Sequence, residues 1–440
     1  MGTILLLSAP AKVVVKDAAR AVKRVASLTI EVVTEETLTE LLGLRGMKVM
    51  RYAIEKQGED EYLHLFCEHQ HDVALCPRCQ KVTAGGYDHK DRCVRHLDIW
   101  GKRTLVHFPR RRFDCEVCGK PFTENLTWLG HKRRQTRAFE EYIYQRVQKT
   151  PRKHVALEEG LSEWTVLDIF KKKAKEQIRC QTDRPWVRVL GVDEISLRKG
   201  HKQYALVLSD LERRCVIEVL PNRKKDTFEK WLDSLSKEER KAIKVVSMDM
   251  WEPYRRAVRA KLPQAQIVAD RFHVVKQLNH QVELLRRALQ RAARKKGDEA
   301  LYQALKGSRW VLIKKRHELK PEEEAQLRLI LDTSDELRRL YLLKEEFRTI
   351  CDKITERDQA ERFLRAWMWK ARATGNRYLI KFAKTLSNWW HEFLNYFIDR
   401  VTQGFVEGTN RAIRGIIHRA FGFRNFDNFR LQVLVEQGYT

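Results

Sequence analysis

The sequence predicts a multidomain protein of the α+β and α/β classes, in which a cysteine-rich β region, short helices, a mixed β-sheet and long helices follow one another. Two Cys-x-x-Cys pairs lie before residue 120, five short apolar runs lie between residues 187 and 269, and helical periodicity dominates after about Phe272. At roughly 100–200 residues per domain, a chain of 440 residues holds about two to four domains.

The charge balance is strongly basic, with 86 Lys and Arg against 59 Asp and Glu and a formal net charge of +27. Such an excess indicates a polyanionic partner, most often nucleic acid, although a merely soluble basic protein has the same balance. No apolar run approaches the roughly 20 residues that span a bilayer, which excludes an integral membrane protein, and the N-terminal segment lacks the basic n-region of a signal peptide. The nine cysteines are too few for a disulfide scaffold, and their odd number argues against complete pairing, so a reduced cytosolic setting is favoured.

Four cysteines form two close pairs, Cys76 with Cys79 and Cys115 with Cys118. Thiolates at this spacing fill a tetrahedral structural Zn²⁺ site and leave no open position. A redox dithiol or unliganded thiols are the alternatives. Nearby cysteines and histidines are expected to be surface or packing residues: Cys67, Cys93, His64, His69, His71, His89 and His96.

Between the two pairs we expect a β-hairpin with arms Leu97–Ile99 and Thr104–Phe108 and a turn at Gly101. The chain here and beyond is rich in arginine. A charge run is usually a solvated face, but beside a zinc ribbon it becomes a candidate surface for DNA phosphates. The candidate contacts are Arg110, Arg111, Arg112, Arg133 and Arg134.

Three helical stretches follow, over Ala138–Val147, Val155–Glu159 and, after a turn at Gly160, Ser162–Lys175. Ser162 suits the N-cap of the third helix. An apolar stripe is expected along it, formed by Trp164, Val166, Leu167 and Phe170. The pattern is typical of a helix-turn-helix unit and equally of an ordinary helical hairpin. The positive end of the third helix offers candidate DNA contacts, which are Lys171, Lys172 and Lys173.

Five apolar runs predict strands over Val187–Val192, Tyr204–Leu208, Cys215–Leu220, Ile243–Met248 and Ala265–Ala269. Helical patterns over Thr227–Leu235 and Pro253–Lys261 separate the last three strands. The first three strands suit an antiparallel meander and the later ones suit parallel crossovers. We therefore expect a mixed sheet flanked by helices.

Two aspartates follow strands of this sheet directly, Asp193 after the first and Asp249 after the fourth. If those strands are neighbours, both carboxylates emerge at one edge, where their mutual repulsion suits a Mg²⁺ or Mn²⁺ ion. Either aspartate alone is better explained as a turn residue. Glu407, on a helical segment that also presents Asn410, Arg411 and Arg414, offers a third acid, although a lone Glu on a helix is normally a surface residue.

Six stretches carry a resemblance to a known family. They are Cys76-Pro-Arg-Cys79, Arg112-Phe113-Asp114-Cys115 with Phe122-Thr123-Glu124, Gly191-Val192-Asp193-Glu194, Asp249-Met250-Trp251-Glu252-Pro253-Tyr254, Asp270-Arg271-Phe272-His273 and Glu407-Gly408-Thr409-Asn410. With these motifs the chain resembles bacterial insertion-sequence transposases of the DDE class, in the ISL-three family. The resemblance begins at about residue 40, so residues 1–34 fall outside it.

The resemblance implies a ribonuclease-H-like catalytic core behind the zinc ribbon, with Asp193, Asp249 and Glu407 as the DDE triad. His273 would either orient substrate or serve as a structural histidine. Two Mg²⁺ or Mn²⁺ ions would support strand cleavage and strand transfer, and Zn²⁺ would hold the ribbon. The implied partner is double-stranded DNA, at the element ends and the target, with Arg411 and Arg414 as further candidate contacts. A homodimer or larger assembly is expected on DNA, in the bacterial cytoplasm at the nucleoid.

The long separation of Asp249 from Glu407 predicts an all-helical insertion within the core. Residues 281–320 hold 12 Lys and Arg against four Asp and Glu, which suits a face along DNA. A dense aromatic patch at the end of the insertion is expected to be helix core rather than a base-stacking surface; its members are Trp389, Trp390, Phe393, Tyr396 and Phe397.

The predicted domain order follows from these patterns. An N-terminal extension and lead-in segment contains a helix over Glu35–Leu44 and strands over Leu28–Val33 and Lys48–Glu55. The predicted ranges are 1–65 for this segment, 66–130 for the zinc ribbon, 135–180 for the helix-turn-helix, 185–279 for the first part of the core, 280–395 for the insertion and 396–440 for the C-terminal helix of the core.

Transposition of DNA is the leading hypothesis for function. A catalytically silent, sequence-specific DNA-binding regulator derived from a transposase is the second, and the presence of all three acids argues against it. A ribonuclease-H-fold nuclease acting on RNA or branched DNA is the third.

Overall fold

The structure, a computed structural model, describes residues 39–180, 185–198, 200–201, 203–399 and 404–439. They fall into two compact units divided between Ile143 and Tyr144. The predicted strand Leu28–Val33 and the start of the predicted helix Glu35–Leu44 lie outside the described residues. Within that helix only residues 39–41 are helical, because the chain turns at Gly43 with a φ of 68°.

The first unit is built on one large sheet and a separate two-stranded ribbon. The strands are β1 (Met47–Gln57), β2 (Asp60–His69), β3 (Val73–Leu75), β4 (Val82–Ala84), β5 (Asp88–Arg95), β6 (Arg103–Cys115) and β7 (Lys120–Thr123). The sheet order is β1-β2-β6-β5, with β7 paired to β6, and β3 pairs with β4. Leu65, Val106 and Phe108 bury one face of the sheet. The predicted boundary between residues 65 and 66 falls inside β2.

The predicted hairpin between the cysteine pairs is right in its turn and in its second arm, Thr104–Phe108, which lies within β6, and wrong in its first arm. β5 ends at Arg95, and the segment predicted as a strand at Leu97–Ile99 contributes only an isolated bridge from Ile99 to Lys102. The turn closes through two backbone hydrogen bonds between these residues, of 3.2 and 3.0 Å. Trp100 and Gly101 have φ values of 51° and 74°. This two-residue turn is therefore of type I′, in which Asn-Gly is the favoured pair.

Replacing Trp100 by Asn should stabilise the protein. Trp100 holds a left-handed backbone conformation while its side chain is 87% exposed, so its ring adds little burial to offset the strain. Asn tolerates this conformation better than a bulky residue does, and we expect a gain of roughly 1 kcal/mol in the free energy of unfolding of the first unit. Urea unfolding of wild type, Trp100→Asn and Trp100→Ala measures this. A less stable Asn variant would contradict the assignment of strain.

Three helices follow, α1 (Arg137–Val147), α2 (Arg152–Glu158) and α3 (Glu163–Cys180). Their order matches the predicted helix-turn-helix pattern, although α2 begins earlier than the predicted Val155 and α3 continues past the predicted Lys175. The Ser162 hydroxyl accepts a hydrogen bond from the Thr165 N–H at 3.1 Å, as expected for an N-cap. The predicted stripe is wrong at Trp164, which is exposed. The buried side of α3 consists of Val166, Ile169, Phe170 and Ala174.

The central sheet of the second unit has five strands, β8 (Val189–Arg198), β9 (Gln203–Asp210), β10 (Cys215–Leu220), β11 (Val245–Met248) and β12 (Gln266–Ala269). Their order is β10-β9-β8-β11-β12. The β10–β9 and β9–β8 pairs are antiparallel, whereas β8–β11 and β11–β12 are parallel. The predicted mixed sheet, with the first and fourth strands as neighbours, is confirmed.

Helices cover both faces of this sheet. They are α4 (Lys225–Ser234), α6 (Glu252–Lys261), α16 (Gly404–Arg419) and α17 (Phe426–Gln437). A further short helix, α5 (Lys237–Ala242), is not predicted by the sequence and buries none of its residues. On one face Phe228 of α4 and Val258 of α6 pack with Val192. On the other face Ile413 of α16 packs with Ile195. Residues 404–437 are thus part of the sheet's core.

Between β12 and α16 the described chain is all helical. The helices are α7 (Arg271–Lys296), α8 (Glu299–Leu305), α9 (Arg309–Ile313), a 3₁₀ turn (Arg316–Glu318), α10 (Pro321–Thr333), α11 (Asp335–Lys353), α12 (Arg357–Ala373), α13 (Arg377–Asn388), α14 (Trp390–Leu394) and α15 (Tyr396–Asp399). Trp389 and Phe393 lie in their common core, as expected for the aromatic patch. Among the helices of the described ranges, none is long and apolar enough to cross a membrane.

Because of Lys344 in α11, the free energy of unfolding should vary with pH in the alkaline range. Its side chain is 1% exposed and its ammonium donates to the Leu312 carbonyl at 2.7 Å, while burial lowers its pKa to about 8. Between pH 8 and about pH 10.5 the unfolded chain binds more protons than the folded one, so the free energy of unfolding rises with pH. Relative to Lys344→Met, wild type should gain roughly 3 kcal/mol across this window. Urea unfolding at pH 7.5 and 10.5 tests this, and a pH-independent difference would contradict it.

Candidate functional site

The four paired cysteines come together in the first unit. The Cys76 and Cys118 sulfurs lie 3.9 Å apart, those of Cys79 and Cys115 lie 3.5 Å apart, and all four lie within 4.8 Å of one another. Hydrogen bonds from backbone N–H groups, first that of Cys79, lower the pKa of Cys76 to about 6. Four converging sulfurs, one of them already favouring the thiolate, fit a structural Zn²⁺ site.

Two carboxylates meet in the second unit because of strand register. β8 and β11 are parallel, and Val192 pairs with Met248, so Asp193 and Asp249 are the next residues on adjacent strands. The prediction that Asp193 directly follows its strand is wrong, because β8 continues to Arg198 in pairing with β9. The ligand atoms of Asp193, Asp249 and His273 all lie within 4.8 Å of one another. Oxygen and imidazole ligands this close form a candidate site for a divalent cation.

Burial and the nearby charge of Asp249 both act on the Asp193 carboxylate. Burial, and then the negative charge of Asp249, raise the pKa of Asp193 to about 6. The Glu194 N–H donates to Asp193 Oδ1 at 2.8 Å, and the Asn410 amide donates to Asp193 Oδ2. The Asp193 carboxylate is therefore fixed in position, and its charged form gains stabilisation from a neighbouring cation.

His273 is held between two aspartates at the start of α7. Its Nδ1 lies 2.8 Å from Asp270 Oδ2 and 2.5 Å from Asp249 Oδ1. Burial opposes the charged imidazole, but the hydrogen bonds and charges of Asp249 and Asp270 outweigh it and raise the pKa of His273 to about 10. Asp270 also caps α7 by accepting the Phe272 N–H at 3.3 Å. The two residues of the predicted Asp-x-x-His pair thus contact each other, and His273 also contacts Asp249.

Glu407 lies in the wall of a cavity that has a volume of about 680 Å³ and is also lined by Asp193, His273 and Asn410. Its carboxylate is exposed on α16 and lies 3.7 Å from the Arg411 guanidinium. Among the described residues it does not join the group formed by Asp193, Asp249 and His273. The structure therefore brings Glu407 to the site without making it a neighbour of the other two acids.

The sequence analysis missed the polar residues behind the acids. Glu194 follows Asp193, accepts a hydrogen bond from the Tyr254 hydroxyl at 2.9 Å and pairs with Arg223 at 3.1 Å. Asn410 was placed by helical spacing on the face of Glu407, but nothing in the sequence indicated its contact with Asp193. These residues fix the floor of the cavity.

The arginines and lysines predicted to contact DNA separate into two groups. Arg111 pairs with the buried Glu124 at 2.9 Å, Arg133 pairs with the buried Glu140, and burial lowers the pKa of Arg110. These groups stabilise the first unit. The remaining candidates are exposed or partly buried, namely Arg112, Arg134, Arg411, Arg414, Lys171, Lys172 and Lys173.

Comparison with known proteins shows which family the chain belongs to. The transposase model of the ISL3 family matches residues 190–433, more than half of the chain. The chain belongs to the ISL3 family of transposases. The helix-turn-helix model of transposase family ISL3 matches residues 124–172, and the zinc-finger model of the IS204/IS1001/IS1096/IS1165 transposases matches residues 72–118. The family resemblance found in the sequence is confirmed.

Two curated relatives are similar over most of their length. The transposase for insertion sequence element IS1001 of Bordetella parapertussis is 31% identical over 362 residues, covering 82% of this chain and 88% of the relative. The transposase for insertion sequence element IS1557 of Mycobacterium tuberculosis is 27% identical over 376 residues, covering 80% of this chain and 82% of the relative. In this ISL3 transposase the zinc-finger match encloses all four paired cysteines, and the transposase match includes Asp193, Asp249 and Glu407.

Proposed function

We propose that this ISL3 transposase cleaves DNA at insertion-sequence ends and joins them to target DNA by metal-dependent phosphoryl transfer at Asp193, Asp249 and Glu407. The observation that carries the proposal is the convergence of Asp193 and Asp249 on adjacent parallel strands, with Asp193 and Glu407 in the wall of one cavity. The strand order and the covering helices support a ribonuclease-H-like core. The helices from α7 to α15 support an all-helical insertion within it.

The donor set suits divalent cations such as Mg²⁺ or Mn²⁺, two of which would be shared among the three acids. Cations held there would activate a water or 3′-hydroxyl and would stabilise the leaving oxygen. The protein's part is to hold the ligands. Asn410 fixes Asp193, and Asp270 orients His273 toward Asp249. Glu407 would complete the set by moving toward the other acids.

DNA recognition would be divided between the two units. The zinc ribbon and helix-turn-helix would read the element ends, with Arg112, Arg134 and Lys171–Lys173 on phosphates. Arg411 and Arg414 lie on the helix of Glu407 and would contact DNA near the cleaved bond. Pairing two ends requires a homodimer or a larger assembly. We place this activity in the bacterial cytoplasm, on the nucleoid.

Cleavage of a supercoiled plasmid bearing the element's own ends tests the function. We expect nicks at the ends in Mg²⁺ or Mn²⁺ and none in EDTA, with no comparable cutting of a plasmid without the ends. Binding without nicking in either metal would instead favour a silent DNA-binding regulator. Preferential cutting of RNA or branched DNA would favour a different nuclease.

A further inference from the structure

A second cavity adjoins the carboxylate site. It has a volume of about 870 Å³, within the range of roughly 300–1,000 Å³ typical of small-molecule sites, and Asp249 lies in its wall. The two cavities share Phe272, His273 and Lys276 of α7. Asp249 and His273 belong to the proposed cleavage site, but the proposed cleavage of a phosphodiester bond gives no role to the aromatic residues that line this second cavity.

Three large aromatic rings line this cavity and remain open to solvent. Trp251, Phe272 and Trp310 are 44%, 52% and 60% exposed. A single exposed ring is common on a protein surface, but several exposed rings grouped in one place mark a site for a ligand or partner. A group of exposed rings around one cavity therefore indicates a ligand with an apolar, planar face.

Each ring has a cation beside it. Arg309 lies 5.0 Å from the centre of the Trp310 ring, Lys276 lies 5.8 Å from that of Phe272, and Arg223 lies 5.9 Å from that of Trp251. Aromatic rings stack on nucleobases, and neighbouring cations bind the phosphates that link them. The alternation of rings and cations thus matches a nucleotide strand better than an uncharged ligand.

Asn279 adds an independent observation. Its Oδ1 is buried in the shared wall of the two cavities, and none of the described residues donates a hydrogen bond to it. A buried acceptor without a donor is costly, so a ligand donor is expected there. Exocyclic amino groups of nucleobases are donors of this kind.

We propose that the second cavity receives one unstacked nucleobase of the DNA strand, next to the phosphate held at Asp193 and Asp249. The inference rests on the proposed function, because it takes the bound polymer to be DNA. Trp310 forms the outer stacking surface, Trp251 and Phe272 form the inner walls, and Asn279 faces the base edge. The base leaves the duplex stack as its phosphate enters the site.

The test compares two probes, a blunt 20-base-pair duplex and the same duplex with a four-nucleotide 3′ overhang, both fluorescein-labelled. Binding to the full chain is measured in Ca²⁺. Trp310→Ala should weaken binding of the overhang probe at least about fivefold, the lower end of one base–aromatic stack, and leave the blunt probe unchanged. Trp310→Phe should retain most of the affinity. Trp369→Ala is the matched control, because Trp369 is 73% exposed and does not line the cavity.

Equal loss on both probes, or no loss on either, would overturn the inference; thermal unfolding of each variant checks that it is folded. The proposed function has a separate readout in metal-dependent nicking. If wild type nicks DNA but Trp310→Ala treats both probes as wild type does, the base site fails and the transposase function stands. If the overhang effect is found without any nicking, the base site stands and the function fails.

Discussion

Asp249→Asn is expected to reduce strand cleavage at least about a thousandfold while leaving affinity for the DNA ends nearly unchanged. Asn has almost the same shape as Asp but no charge, so the site loses one of the two carboxylates that the register of β8 and β11 brings together. A cation at such a site contributes several kcal/mol to the transition state, and about 4 kcal/mol corresponds to a thousandfold. Plasmid nicking in Mg²⁺ measures cleavage, and a gel shift in Ca²⁺ measures binding.

The matched control is Asp226→Asn. Asp226 is an exposed residue in the first turn of α4, in the same unit and away from both cavities. The Asp226→Asn substitution changes the net charge by the same amount as Asp249→Asn, so a general electrostatic effect on DNA binding would appear in both variants. Cleavage by Asp249→Asn within tenfold of wild type would remove Asp249 from the catalytic site.

Cys115→Ser should release the bound zinc and unfold the first unit. Its sulfur lies in a small apolar cluster with Cys76, Phe113 and Phe122, which is too small to hold the end of β6 without the metal. Structural zinc sites contribute roughly 10–16 kcal/mol in small domains, far more than the margin of stability of most domains. Zinc content by mass spectrometry and limited proteolysis between residues 47 and 123 measure the two effects.

Cys93→Ser serves as the control for this variant. Cys93 lies on β5 in the same sheet, is exposed and has no part in the four-cysteine group. The Cys93→Ser variant should keep its zinc and its resistance to protease. Retention of one equivalent of zinc by Cys115→Ser would show that the remaining sulfurs suffice, contrary to a closed four-thiolate site.

The parts of the fold that the sequence predicts correctly are those with strong local signals. The five strands of the second unit are apolar runs bounded by polar turns, and Asp193 and Asp249 follow from the rule that parallel neighbours present matching residues at one edge. The grouping of the four paired cysteines follows from their spacing. Each strand and each Cys-x-x-Cys pair is recognised from a few consecutive residues, whereas the meeting of Asp193 with Asp249 also depends on the strand order.

The errors and omissions concern information that is distant in the chain. The contact of Asn410 with Asp193 joins positions 217 residues apart, and the parallel pairing of β2 with β6 crosses about 40 residues. A run of arginines gives charge but not partners, so the burial of Arg111 against Glu124 could not be foreseen. Trp164 matched the helical stripe by spacing but lies on the open side of α3.

The late position of α16 in the chain links activity to the completion of protein synthesis. Ile413 covers a face of the central sheet and Asn410 reaches Asp193, yet both follow that aspartate by more than 200 residues. At about 5–20 residues per second, a ribosome needs roughly 10–40 s to cross this interval. Until then the nascent chain carries both aspartates with an apolar sheet face uncovered. We therefore expect truncated translation products to be degraded before they can cut DNA.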